Sequence, residues 1–119
     1  MPHLLDNEQI VAKAISRFQR VSARKARMVA DLIRNKTVVE AQRILQLTHR
    51  PSAGPMVHNV LKSAVANVDH ARYPNADDLV LGEVEVNVGP IMPRTMPRAR
   101  GRAARIRKRF CHISIKLVE

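Results

Sequence analysis

"VEVNVGPIMPRTMPRARGRAARIRKRFCHISIKL", residues 84–117, decides the fold. At its start Val84, Val86 and Val88 alternate with Glu85 and Asn87. At its end Ile113, Ile115 and Leu117 alternate with His112, Ser114 and Lys116. Successive side chains of a strand point to opposite faces, so each end reads as a strand with one apolar face. The two strands can pair antiparallel, which turns residues 82–118 into one long hairpin. Its base packs on a core through the Val84 and Ile113 faces. The outer part has almost no large apolar residue and cannot. A lone hairpin is marginal in water, so this part reads as a protruding arm that a partner orders. At about 3.3 Å per residue, roughly ten residues a side reach on the order of 30 Å.

The middle of the stretch names the kind of partner. Between Thr95 and Phe110 stand Arg98, Arg100, Arg102, Arg105, Arg107, Lys108 and Arg109, with no acid. Like charges this close repel, and a polyanion offsets the cost. Arg98, Arg100 and Arg102 fall on one side of a strand; after Ala103 and Ala104 the parity shifts to Arg105, Arg107 and Arg109. Either a bulge sits there or the arm presents guanidinium groups on both faces. Arginine's planar fork matches phosphate oxygens and stacks on bases. A disordered arginine-rich tail would lack the flanking strand patterns and the prolines at 90, 93 and 97.

Upstream, residues 10–21 alternate as a strand, with Val11, Lys13, Ile15 and Arg17 on one face and Ala12, Ala14, Ser16 and Phe18 on the other. Ser22 is placed to cap a helix running to Asn35, whose side chain suits a left-handed terminus. Ala26, Val29, Ala30 and Ile33 form its apolar stripe. Thr37, with Glu40 three residues on, marks a second helix. After the break "THRPSAGP", a third is expected from about Met56 to Arg72 on a stripe including Val57, Val60, Leu61 and Ala64. "YPNADD" reads as a loop. The fold class is α+β: three helices on a small antiparallel three-stranded sheet, with a long protruding β-hairpin. The expected division of the single domain is a body over about 10–85 and 108–119 and an arm over about 86–107.

The whole chain agrees with a polyanion partner. It has 119 residues, a net charge of +11 and a pI of about 11.3. Such a basic small domain reads first as a nucleic-acid binder and second as a binder of anionic membrane surfaces. A second basic cluster, Arg17, Arg20, Arg24, Lys25 and Arg27, surrounds the start of the first helix, where backbone N–H groups add to anion binding. Trp is absent and Phe plus Tyr total three, too few for the aromatic platforms of common single-strand binders. Recognition of structured RNA by shape and phosphate fits better than base reading.

Other classes find no support. The one cysteine, Cys111, excludes an internal disulfide and a multi-cysteine zinc site. Cys111 and His112 are adjacent and would face opposite ways on a strand, so they make no nucleophile–base pair. His58 and His70 lack metal-ligand spacing, and Asp77 and Asp78 sit in a loop. No glycine pattern makes a nucleotide loop. No catalytic residue, metal or cofactor is expected. No apolar run nears the roughly 20 residues of a membrane span, and "MPHLLDNEQ" lacks the regions of a secretory signal.

"SARKARMVADLIRNK", "VLKSAVANVDH" and "GPIMPRTMPRARGRAARIRKRFCHISI" stand in an order and spacing that closely resemble the large-subunit ribosomal protein L-twenty-two family, over about residues 12–118. The resemblance implies a structural constituent of the large ribosomal subunit that binds several domains of its rRNA, touches neighbouring large-subunit proteins and supports assembly. It implies a hairpin lying along the polypeptide exit tunnel. The tip, placed at Ile91, Met92, Pro93, Arg94, Thr95 and Met96, would line the lumen and meet the nascent polypeptide. The family usually has a lysine where this chain has Pro93. The rRNA-binding set is then Arg17, Arg20, Arg24, Lys25, Arg27, Arg94, Arg98, Arg100, Arg102, Arg105, Arg107, Lys108, Arg109 and His112. The implied place is the cytoplasm ahead of an organelle interior, with no membrane partner and no homo-oligomer. The alternatives are a free-standing basic chaperone or nucleoid protein and, without a catalytic constellation, an enzyme.

Overall fold

A computed structural model describes residues 10–119; the leader reading of the first nine lies outside them. The described elements are β1 (Ile10–Gln19), α1 (Ala23–Ile33), α2 (Val38–Leu47), α3 (Gly54–Ala66), β2 (Val80–Pro97) and β3 (Ala103–Val118), with short 3-10 turns at Ala76–Asp78 and Ala99–Gly101. The sheet is antiparallel in the order β1-β3-β2. Helices α1 and α3 lie on one of its faces, and α2 packs against both of them and the turn at Ala76–Asp78.

Local chemistry sets the helix ends. The Ser22 hydroxyl accepts from the Lys25 N–H, and the Thr37 hydroxyl from the Glu40 N–H. Asn35 is left-handed at φ 60°, and that turn sets the next residues along β2. Asn35 N–H donates to Leu81 O, Leu81 N–H to Lys36 O and Val38 N–H to Leu79 O. The linker thereby pairs with the base of β2, an edge strand that would otherwise expose its backbone groups. The third helix is shorter at its end than the periodicity predicts. It begins at Gly54, with Pro55 in the first turn where a missing N–H costs nothing. It stops at Ala66, not near Arg72. Asn67 spends its side-chain amide on Lys13 O, and the Asp69 carboxylate accepts from the Ala71 N–H, a local turn that competes with helix.

The core is aliphatic. Ile33, Leu61, Leu81, Ile113, Ile115 and Leu117 are fully buried, joined by Val29, Val38 and Val57. Each such side chain stabilises the fold by about 1.5–3 kcal/mol. In β1 the small Ala12 and Ala14 face inward, which lets α3 come close, while Ile15 lies outside.

Two bulges sit near where the body gives way to the arm. In β1, Ser16 pairs with Ile113 and Gln19 with Cys111, so an extra residue opposes His112. Phe18 takes φ 57° there. It leaves the Ala12 and Ala14 face that strict alternation assigns it and joins the outer face. In β2, Val88 pairs with Cys111 and Ile91 with Arg109, so the second bulge falls at Gly89 and Pro90. A Cβ on Gly89 would lie 3.0 Å from Phe110 O and 3.1 Å from its carbonyl carbon. Backbone cannot swing aside as a side chain can. Gly89→Ala should therefore lower stability by about 1–3 kcal/mol, read as a lower urea midpoint with an unchanged slope. An unchanged midpoint would mean that the strands part freely here.

Beyond the bulge β2 and β3 continue alone to Pro97 and Ala103. The radius of gyration, 17.1 Å, exceeds the 13–14 Å or so of a compact chain of this length. The molecule measures 64 × 29 × 26 Å. The hairpin turn corrects two expectations. Arg98, Arg100 and Arg102 do not line one side of a strand: they make the turn, with Arg100 at φ 61° and Gly101 at φ 71°. Consecutive left-handed residues reverse the chain between twisted strands. Ile91, Met92, Pro93, Arg94, Thr95 and Met96 are therefore not the tip. They form the distal part of strand β2, opposite residues 104–109.

Candidate nucleic-acid interface

Strand β3 carries the site. It runs without a bulge along the arm side of Cys111, so its two-residue period passes unbroken from body to arm. Leu117, Ile115, Ile113 and Cys111 face the core, and Arg109, Arg107 and Arg105 continue the same face past the end of the helices. The core face of the body thus becomes an arginine ridge on the arm, on the helix side. Opposite the ridge residues stand Ile91, Pro93 and Thr95 of β2. The other face of the arm is different, pairing Met92 with Lys108, Arg94 with Ile106 and Met96 with Ala104. All three prolines of the arm lie in β2; Arg98 N–H donates to Arg102 O, so by alternation Pro93 and Pro97 fall at pairs that exchange no hydrogen bond, where a missing N–H leaves no partner unsatisfied.

The foot of the ridge meets the start of α1. Along the edge of β3 that β1 leaves free past Cys111, where side chains of both faces reach, Arg20 and Lys25 stand with Arg107, Lys108 and Arg109 around a groove of about 400 Å³, completed by Val21, Ser22, Ser52 and Phe110. Two basic clusters more than eighty residues apart in the chain therefore share one acid-free hollow. Ser22, the cap of α1, and Lys25 of its first turn line the groove, and the helix dipole favours an anion near that terminus. Among the described residues, the ion pairs are Arg34 with Asp31 and Lys116 with Glu83. Neither uses a cation of the groove, ridge or turn.

The remaining expected residues have other surroundings. Arg24 is exposed on the first turn of α1. Arg27 is tied down: its Nε and Nη2 donate to Val86 O at 3.2 and 3.1 Å, clamping α1 to β2 below the arm. Burial pushes the neighbouring Cys111 thiol up, and the Arg27 charge opposes this in part. Cys111 is a packed core residue. Arg94 folds back on its own strand, donating to Pro93 O at 3.0 Å. Arg17 and His112 lie on the outer sheet face, away from the groove, where His112 Nδ1 accepts from the Phe18 N–H at 3.1 Å. Lys116 bonds Glu83 Oε2 at 2.9 Å, and that carboxylate pushes the lysine pKa up.

Sequence reasoning missed Ser52, from the α2–α3 connection, in the groove. It also missed that Phe18 is an outward residue, 61% exposed. The break in alternation at "SRFQRV" is the only signal for it.

The family model described as "Ribosomal protein L22p/L17e" matches residues 14–118. The chain is similar to the large ribosomal subunit protein uL22 of Oceanobacillus iheyensis, 49% identical over 108 residues that cover 91% of this chain and 95% of that one. It is 49% identical to the protein of the same name from Desulfitobacterium hafniense, over 91% of this chain and 94% of the relative. The one from Staphylococcus aureus is 48% identical over 104 residues, 87% of this chain and 88% of the relative.

Proposed function

The chain belongs to the ribosomal protein L22p/L17e family, and from that premise we propose how it holds its place in the ribosome. It is a structural constituent of the large ribosomal subunit and not an enzyme. The proposed activity is binding of large-subunit rRNA. The groove between α1 and the arm takes one RNA segment, the ridge of Arg105, Arg107 and Arg109 a second, and the turn with Arg98, Arg100 and Arg102 a third. A body and arm that touch different segments hold several rRNA domains together, which is how a small protein supports assembly.

The observation that carries this reading is the groove, where Arg20 and Lys25 meet Arg107, Lys108 and Arg109 with no acid among the lining residues. The distal arm, with Ile91 to Met96 on one strand, is proposed to line the polypeptide exit tunnel and meet the nascent chain. Its end is more basic than an Arg94-only tip, because the turn itself carries three arginines. Neighbouring large-subunit proteins and a cytoplasmic place complete the proposal.

The groove is testable through salt. Each phosphate neutralised contributes about 0.9 to the log–log slope of affinity against salt on a duplex and about 0.7 on a single strand. Arg20→Ala with Arg107→Ala should flatten the slope for isolated large-subunit rRNA by between about one and two units. Arg43→Ala, on the exposed side of α2, should leave it unchanged. Equal slopes for the double variant and the wild type would remove the groove from the interface.

A further inference from the structure

We propose that the open face of the sheet carries a second kind of RNA contact, a platform on which one unpaired base of the rRNA stacks against Phe18. The proposal rests on the rRNA-binding reading and extends it from phosphate contact to base contact.

Phe18 is in an unfavourable position by every local criterion. It is a bulky residue at φ 57°, a region that glycine or asparagine enters far more readily. The bulge turns its ring out of the sheet's inner face, and the ring remains 61% exposed. Bulges re-aim side chains, and strain of this kind gathers where a site needs a particular geometry. The ring is also held in place. The Phe18 N–H donates to His112 Nδ1 at 3.1 Å, and the two rings meet edge to face, with centroids 5.0 Å apart and planes at 90°. That contact leaves much of the ring open to solvent.

The surroundings select the occupant. Phe18 borders a hollow of about 520 Å³ that also includes Lys13, Arg17, Asn87 and His112. Among the described residues, Lys13 and Arg17 are in neither ion pair. Lys116, across the hollow, is committed to Glu83, and Glu85 is a carboxylate on the same rim. With His112 Nδ1 taken by the Phe18 N–H, Nε2 is the ring nitrogen left to hydrogen-bond a ligand. Ile15 also lines the hollow and, with the Phe18 ring, gives it an apolar floor, while the other lining side chains, Lys13, Arg17, Asn87, His112 and Ser114 among them, are polar. A nucleotide fits both parts: its base takes the aromatic face, and its phosphate takes Arg17 or Lys13. Stacking needs no particular base, since every base has a π-face.

The test uses the full chain and isolated large-subunit rRNA. Asparagine tolerates the left-handed conformation, so Phe18→Asn keeps the bulge while deleting the ring. We expect its melting temperature to match or exceed that of the wild type. Its affinity should fall about 5–150-fold, the range for one lost stacked base. The salt slope should stay the same, because no phosphate contact is lost. Phe18→Trp should bind within about twofold of the wild type. Wild-type affinity in Phe18→Asn would overturn the proposal, and so would a fall in melting temperature large enough to show that the ring packs the fold. Unchanged rRNA affinity with weakened incorporation into subunits would assign the face to a neighbouring protein, and also overturn it. If the wild type itself bound rRNA without salt dependence, the groove and ridge reading would fail first and take this site with it.

Discussion

Replacing Arg105, Arg107 and Arg109 together with glutamine should weaken binding to large-subunit rRNA on the order of 10³-fold. The three guanidinium groups share one face of β3, and all are exposed. Hydrogen bonds to charged groups contribute roughly 1.5 kcal/mol or more each, and about 4 kcal/mol corresponds to a thousandfold change. Charge should show separately in the salt dependence. Three fewer phosphate contacts should flatten the log–log slope by about two to three units. The fold should be untouched, since none of the three packs on the core. Filter binding across a salt series reads both quantities. A large loss of affinity with the wild-type slope would indicate a disturbed arm rather than lost phosphate contacts. Unchanged affinity would mean that the ridge faces solvent in the complex.

Hydrogen exchange on the free protein should separate body from arm by several orders of magnitude. Val57, Leu61 and Ala64 of α3 are fully buried, and their amides open only when the body unfolds. The free energy of that step is typically about 5–15 kcal/mol. Residues 90–103 are all exposed, and two strands with no third neighbour hold them. Their amides should exchange through local opening at little cost. Adding rRNA should slow exchange in the arm, as the RNA neutralises the mutual repulsion of the arginines. Slow exchange around Arg94 and Arg105 in the free protein would contradict a partner-ordered arm.

Local rules carried much of the fold. Ser22 and Thr37 are legible as caps because capping is a contact within one turn, and Asn35 because few residues accept its conformation. Val84, Val86, Ile113, Ile115 and Leu117 are legible because one face of a strand must be apolar to be buried. The reading failed where a periodic pattern ran on across a local turn, and where a bulge depended on a distant strand. Asp69 ends α3 through a turn, while Val68 still continues the helical stripe and is buried beyond the helix end. The hairpin turn hid in "RARGR", since Arg98, Arg100 and Arg102 alternate like a strand and only Gly101 hints at reversal. Phe18 kept its strand parity in the sequence because a bulge depends on the partner strand.

The site was legible as charge but not as geometry. Both basic clusters stand out in the chain. Their meeting at one groove depends on how β3 lies against the start of α1. One part lies in the chain itself. Residues 105–117 of β3 read Arg, Arg, Arg, Cys, Ile, Ile, Leu at every second position, a single face passing from exposed arginines to core. The two halves of that face stand out separately, and an unbroken register joins them.

Ultraviolet crosslinking of intact large subunits, followed by mass spectrometry of the nucleotide-bearing peptides of this chain, tests the central claim most directly. Adducts should appear on residues 105–110 and residues 20–25, the two sides of the groove, and be sparse on the outer surface of α2. Adducts concentrated on α2 with none at Arg20, Lys25 or residues 105–109 would contradict an RNA interface built on the α1 terminus and the arginine ridge.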